Sequence, residues 1–258
     1  MAAQLWKDRR GKGVILAIAL ALLFVLISLV FLSVLEGPAW YLFSSGLRIA
    51  FGLLILHLAP RLFGRSPRAI LSPKNNKAAL IAGTGFLLYF LFFLFALSVG
   101  MEALEGLTLG LFLTRVLLQQ LATGFYEELH YRFLICEGYF HGAPTAKRRL
   151  LYAFLSFALF GGLHLVGDCT LERFLTTGAI GFAFAAMFLC SRNVLIPMVL
   201  HGVYDIPANL SSFVRWNQSA LFETVNSLFE LALGVMFVLS LAMLLRYRPL
   251  GEEGREET

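Results

Sequence analysis

Long apolar runs constrain this chain more than any other feature of its sequence. The first of them, residues 14–35, consists mostly of Leu, Val, Ile, Ala and Phe. About 20 apolar residues in a row are enough for a helix to cross the hydrocarbon core of a bilayer. Hydrophobic residues make up 59% of the whole sequence and charged residues only 14%. This composition excludes an ordinary soluble domain and indicates a polytopic membrane protein.

Further runs of similar length divide the chain into about eight predicted helices. The predicted spans are residues 14–35, 39–59, 78–100, 107–140, 149–166, 174–191, 194–212 and 220–245. The polar segments between them are short, and no internal repeat is visible. The sequence therefore predicts an all-α fold of about eight transmembrane helices, with residues 1–258 forming one integral membrane domain.

The basic residues are distributed unevenly between the two sides of the predicted bundle. If the N-terminus is cytoplasmic, the segments on that side hold 16 of the 21 basic residues, namely Lys7, Arg9, Arg10, Lys12, Arg61, Arg65, Arg68, Lys74, Lys77, Lys147, Arg148, Arg149, Arg192, Arg246, Arg248 and Arg255. The opposite loops hold only Arg173 and Arg215. This asymmetry predicts cytoplasmic termini in a bacterial-type inner or cell membrane. The basic residues on the predicted cytoplasmic side also account for the net charge of +5. We therefore expect no nucleic-acid partner.

The span 107–140 contains two adjacent acids, Glu127 and Glu128, and the base Arg132. Ionisable groups at membrane depth are costly and are therefore functional candidates. Glu128 and Arg132 are four residues apart, which places them on one helix face, where they can pair. Glu127 lies about 100° further round the helix. We predict that Glu127 acts as a general base on water; a buried salt-bridge network that only positions helices is the alternative.

Two later spans each carry one histidine, His164 and His201, and Asp205 follows His201 by four residues. At 1.5 Å per residue, Glu127, His164 and His201 lie about 20, 22 and 12 Å from their cytoplasmic helix ends. These depths are similar within two helical turns. His201 and Asp205 share a helix face and could hold a developing oxyanion. Either histidine alone would be interpreted as an ordinary core residue.

Taken together, these motifs resemble the CPBP family of glutamate-dependent intramembrane proteases. That family includes the type II CAAX prenyl endopeptidases and bacteriocin-processing relatives. The resemblance covers about residues 107–212, the predicted catalytic core, and is carried in order by Glu127, Glu128, Arg132, Phe160, His164, His201 and Asp205. Each motif is weak alone, but the three together in an eight-span chain are specific. Zinc-protease HExxH and serine-hydrolase GxSxG signatures do not occur in the sequence.

The resemblance implies a conical bundle of about eight helices around a cavity open to the cytoplasmic side. It implies that Glu127 and His164 activate water, while His201 and Asp205 form the oxyanion site. Relatives commonly have Asn where this chain has Asp205, and Asn is always a donor. The supporting residues of the three motifs are Glu128, Arg132 and Phe160.

We expect no cofactor, because a glutamate-activated water needs none; Zn²⁺ held by Glu127, His164 and His201 is the alternative. The expected function is an intramembrane endopeptidase acting on a membrane-associated protein or peptide, with or without a lipid group. One rival interpretation is a catalytically idle peptide-binding partner, such as an immunity or scaffold protein. Another is a transporter with a Glu/His proton relay. The complete motif set disfavours the first rival, and the missing repeat disfavours the second.

Overall fold

The structure is a computed structural model that describes residues 11–73, 75–139, 145–166, 169–217 and 220–246. Its helices in chain order are α1 Gly11–Leu32, α2 Gly37–Phe63, α3 Pro67–Ile70, α4 Asn76–Ala82, α5 Thr84–Gly100, α6 over residues 109–139, α7 Ala146–Leu163, α8 Leu171–Ser191, α9 Leu195–Ser211 and α10 Ala220–Leu245. A 3-10 turn, His164–Val166, continues α7. The predicted cytoplasmic termini, residues 1–10 and 247–258, lie outside the described part of the chain.

Helix α6, which carries the acid pair, is continuous but not uniform. It alternates between α-helical and π-helical stretches, which are Leu109–Leu111, Phe112–Leu118, Gln119–Glu127, Glu128–Leu134 and Ile135–Tyr139, the second and fourth being π-helical. The change from α to π falls between Glu127 and Glu128. Stretches of π-helix inside α-helices occur frequently at functional sites.

A helix occupies each of the eight predicted spans, but eight transmembrane helices are not confirmed. By length and composition, α1, α2 and α8 can each cross a membrane, and the pair α4–α5, bent by 56°, would make a fourth span. Helix α9 has 17 residues, and α6 carries the charged motif. The molecule is thus an integral membrane protein with three or four clear spans among its described residues. The larger number stays a prediction.

The structure is all-α, as predicted, apart from one small two-stranded sheet. Strands β1, Met101–Leu104, and β2, Val214–Trp216, pair antiparallel. Arg215 of β2 forms ion pairs with Glu102 (3.2 Å) and Glu105 (2.6 Å) across this sheet. Strand β1 begins directly after α5, and β2 begins three residues after the last residue of α9. Both strands therefore lie in the short segments between predicted spans.

The sheet marks one end of the bundle, here named the sheet end, where the C-termini of α1, α5, α7 and α9 meet the N-termini of α2, α6 and α8. The opposite end is named the basic end and includes the loops at residues 64–75 and 192–194. There Asn75 Nδ2 donates to the carbonyl of Ser191 at 3.0 Å, and Arg192 forms an ion pair with Glu137. Consecutive long helices therefore run antiparallel between two distinct ends.

Small residues allow the motif-bearing helices to approach closely. A Cβ added to Gly124 in α6 would lie 2.7 Å from the Met198 carbonyl oxygen in α9. One added to Gly161 in α7 would lie 2.7 Å from the Phe174 carbonyl oxygen in α8. Side chains larger than hydrogen would force these backbones apart. Gly124 thus lets α6 approach α9, and Gly161 lets α7 approach α8. Most of the basic-end half of α8 is buried.

Candidate active site

His201 lies at the centre of the polar cluster and contacts three carboxylates. Its Nδ1 donates to Glu128 Oε1 at 2.9 Å. Its Nε2 lies 3.4 Å from Asp205 Oδ2 and 3.8 Å from Glu127 Oε2. The residue is only 2% exposed. His201 therefore joins the first and third motifs directly. Its bond to Glu128 could not be predicted from the sequence, where helix spacing pairs Glu128 with Arg132 alone.

Glu128 and Arg132 pair as their four-residue spacing predicted. Arg132 Nε lies 3.3 Å from Glu128 Oε2, and both side chains are fully buried. The guanidinium also lies over the rings of Phe160 (4.7 Å) and Phe184 (5.2 Å). Cation–π contacts of this kind partly compensate a buried positive charge. Phe160 thus supports the site by covering Arg132.

His164 lies at the C-terminus of α7, where the α-helix tightens into the 3-10 turn. Its Nδ1 donates to the carbonyl of Phe160 at 2.7 Å, because a carbonyl oxygen can only accept. In the neutral ring this leaves Nε2 with a free lone pair. Within the described residues, no hydrogen bond or ion pair connects His164 to Glu127, His201 or Asp205.

A cavity of about 500 Å³ contains all four predicted catalytic side chains, Glu127, His164, His201 and Asp205. Its other lining residues are largely polar and include Tyr41, Arg48, Arg115, Gln119, Gln120, Thr123, Arg173, Thr177, Tyr204 and Asn209. One polar space therefore holds groups from three helices that lie far apart in sequence. The walls that carry these groups come from α6, α7 and α9.

This cavity opens at the sheet end of the bundle. Four lining residues, Tyr41, Arg115, Arg173 and Asn209, lie within six residues of the sheet-end termini of their helices. Towards the basic end, Glu128, Leu129 and Arg132 are fully buried and close the space. The family resemblance implies a cytoplasmic opening, and the charge asymmetry separately predicts a cytoplasmic basic end. The geometry makes these two predictions incompatible, since the opening and the basic end lie on opposite sides.

Residues 109–207 match the family described as "Rce1-like: Type II CAAX prenyl endopeptidase Rce1-like". The match runs from the first turn of α6 into α9 and includes every predicted site residue. This part of the chain is similar to that family, and it is called the Rce1-like segment below. The Rce1-like segment spans fewer than half of the 258 residues, and it confirms the family resemblance drawn from the three motifs. No curated protein and no solved structure matches the chain.

Because the family is one of proteases, the Rce1-like segment supports a peptidase and suggests CAAX-type intramembrane protease activity. Among the described residues, no group of three His, Cys, Asp or Glu side chains is arranged to hold a metal ion. His201 directs Nδ1 at Glu128, and His164 directs Nδ1 at its own helix.

A second, mostly apolar groove of about 310 Å³ adjoins the Rce1-like site. Helix α1 and the start of α2 supply one wall, made of Phe24, Val25, Ser28, Leu29, Leu32 and Trp40. The groove shares Arg48, Glu127, Phe160 and His164 with the polar cavity. Arg48 thus stands between the two spaces, with Nη1 donating to the Ser44 hydroxyl. In the sequence, the signal for this position is an arginine inside an apolar span.

His130, a histidine inside the first motif, has a structural position. Its Nε2 donates to the carbonyl of Ala17 in α1 at 2.8 Å. Its Nδ1 then accepts from the hydroxyl of Tyr126 at 2.6 Å. Both ring nitrogens are satisfied away from the cavity, so His130 fastens α1, the outer wall of the apolar groove, to the Rce1-like segment.

Proposed function

We propose that this protein is an intramembrane endopeptidase that hydrolyses a peptide bond of a membrane-associated protein or peptide with water activated by Glu127. The observation that carries the proposal is the collection of Glu127, His164, His201 and Asp205 in one polar cavity within an Rce1-like segment. A carboxylate, two imidazoles and a second carboxylic group around one open space can supply both halves of an acyl-transfer site, a base and an oxyanion donor.

Glu127 is positioned to accept a proton from water. Its Oε2 is buried against the cavity and forms no hydrogen bond with any described residue. The free lone pair on His164 Nε2 faces no competing donor in the described part of the chain. A water molecule held by these two acceptors would lose its proton to Glu127 as it attacks the scissile carbonyl. Glu127 would then return that proton to the leaving amine.

His201 and Asp205 would stabilise the oxyanion that forms during this attack. The hydrogen bond from Nδ1 to Glu128 fixes the ring of His201, so that Nε2 points towards Asp205 and the cavity. Donors held in place before the reaction stabilise developing charge without reorganisation. Asp205 contributes a hydrogen bond only as the protonated acid. His201 contributes one through Nε2–H as the imidazolium, because its Nδ1–H already donates to Glu128. The Glu128–Arg132 pair acts as a positioning unit for His201.

The apolar groove supports a substrate associated with the membrane. It meets the polar cavity at Glu127 and His164, so an apolar anchor in the groove would place an adjoining peptide bond beside the proposed base. The Phe, Leu, Val and Trp side chains of the groove suit an apolar peptide segment or a lipid chain equally. The class of substrate is therefore a peptide with an apolar anchor.

The proposed function can be tested on membranes from cells that produce either the unchanged protein or the Glu127→Gln variant. Mass spectrometry of membrane peptides should find one or more longer, uncleaved species that accumulate only with Glu127→Gln. A peptide-binding partner without catalysis would instead give the same set of peptides in both membranes. Identical peptide sets, with equal amounts of folded protein, would therefore refute the peptidase proposal.

The oxyanion role of Asp205 predicts opposite results for two substitutions. Asp205→Asn should keep or raise the cleavage rate, because the amide donates a hydrogen bond permanently. Asp205→Leu should lower kcat by about 100-fold or more, the usual scale for losing an oxyanion donor. The measurement is kcat on an identified substrate, with circular dichroism to compare folding. Equal rates for the Asn and Leu variants would remove Asp205 from the chemistry.

We also propose that the reaction needs no metal ion. Purified active protein should then keep its full rate after dialysis against a strong chelator, and added Zn²⁺ should not increase it. A zinc-dependent enzyme would lose activity with the metal and regain it on reconstitution. Metal content determined by elemental analysis before and after dialysis provides the control.

A further inference from the structure

The two ends of the bundle differ strongly in charge. Among the described residues, the basic end carries Lys12, Arg61, Arg65, Arg68, Lys77, Lys147, Arg148, Arg149, Arg192 and Arg246. The sheet end carries the acids Glu36, Glu102, Glu105, Glu172 and Glu223. Lys and Arg concentrate in the cytoplasmic loops of membrane proteins. The basic end is therefore the cytoplasmic end, and the sheet end faces the other side of the membrane.

The basic residues that do lie near the sheet end have specific positions. Arg215 is neutralised by Glu102 and Glu105 on the exposed sheet. The other two, Arg115 and Arg173, line the polar cavity. Arg115 Nη2 donates to the Ser212 hydroxyl at 3.1 Å and its guanidinium lies over Phe213. Two of the three exceptions thus belong to the cavity and the third is neutralised by acids, so none of them weakens the orientation.

From these positions we infer that the active-site cavity opens to the non-cytoplasmic side, and that the substrates are membrane-anchored peptides cleaved in a segment on that side. This inference rests on the proposed peptidase function for its substrate class, but the side of the opening is independent of catalysis. It is the reverse of the cytoplasmic opening that the family resemblance implied.

The apolar groove is consistent with the same side. Its α1 residues, Phe24, Val25, Ser28, Leu29 and Leu32, occupy the last nine positions of a helix that ends at the sheet end. Their level is therefore the non-cytoplasmic half of the bilayer. An anchor in this half would present its adjoining segment to Glu127 without crossing the basic end.

Cysteine accessibility tests the side of the opening directly. Ala208 lines the cavity near the sheet-end terminus of α9, and exposed Ala69 lies at the basic end. We would make Ala208→Cys and Ala69→Cys separately in a Cys169→Ser background, because Cys169 is exposed while Cys136 and Cys190 are buried. A membrane-impermeant maleimide is added to intact cells and to permeabilised cells. Asn209→Cys, on the same wall, replaces Ala208→Cys if that variant does not accumulate.

We expect intact cells to label Ala208→Cys and to leave Ala69→Cys unlabelled until permeabilisation. Labelling of Ala69→Cys but not Ala208→Cys in intact cells would overturn the inference. So would an Ala208→Cys that stays unreactive after permeabilisation, since the cavity would then be closed to water. The labelling pattern should be unchanged by Glu127→Gln. If the peptide sets are identical but the labelling is as expected, only the peptidase proposal is refuted. If uncleaved peptides accumulate but the labelling is reversed, only the inferred side of the opening is refuted.

Discussion

Glu127→Gln should abolish cleavage while the protein remains folded. Gln has the same shape as Glu but cannot take a proton from water, and the loss of a general base costs about 10²–10⁴-fold in rate. The Glu127 side chain is 13% exposed, and its Oε2 forms no hydrogen bond with described residues. Replacing Glu127 by Gln therefore removes no hydrogen bond of Oε2 that stabilises the fold. The measurement is the turnover rate together with the thermal midpoint, Tm, in detergent.

The matched control is Glu36→Gln, the same substitution at an exposed glutamate preceding α2. It should change neither rate nor Tm. Glu128→Gln provides a contrast, because it alters the ion pair with Arg132 and the bond from His201, and should lower Tm as well as rate. If Glu127→Gln keeps the full rate, Glu127 is not the base.

Arg132→Ala should destabilise the protein strongly. It would leave Glu128 fully buried, with its Oε2 facing no positive charge, and would remove the guanidinium that lies over Phe160 and Phe184. Removing one partner of a buried ion pair costs about 3–5 kcal/mol. We expect a large fall in Tm and in the amount of protein that accumulates in the membrane.

Two further variants separate the charge from the general effect of losing an arginine. Arg68→Ala, at an exposed position of the basic end, should change the free energy of unfolding by no more than about 0.5 kcal/mol. The double variant Glu128→Gln/Arg132→Met should recover part of the lost stability, because no uncompensated charge remains. If Arg132→Ala has the same Tm as the unchanged protein, the pair is not needed to stabilise the fold.

The positions of the helices could largely be predicted from the sequence. The predicted span 14–35 corresponds to Gly11–Leu32, and 220–245 coincides with Ala220–Leu245. Apolar runs set these positions locally, so the neighbours of a helix hardly affect them. The number of true membrane spans was less predictable, since charged residues in α6 and the short length of α9 are tolerated only through contacts with other helices.

Part of the candidate site also followed from local spacing. The pairing of Glu128 with Arg132 depends only on helix geometry and was predicted correctly. The bond from His201 to Glu128 joins residues 73 positions apart and depends on the close approach of α6 and α9 at Gly124. The position of Arg48 between two cavities depends in the same way on how α1 and α2 pack against α6.

Composition and short-range spacing were enough to establish that the chain is a helical membrane protein, which of its ends is basic, and which residues are candidates for chemistry. These properties hold for each segment separately, so they need no knowledge of any partner helix. Tertiary packing was needed to bring His201 into contact with both acids of the first motif and to open the cavity opposite the basic end. Helix contacts and helix tilt create a cavity, and they arise from the packing of small residues such as Gly124 and Gly161 against distant backbones.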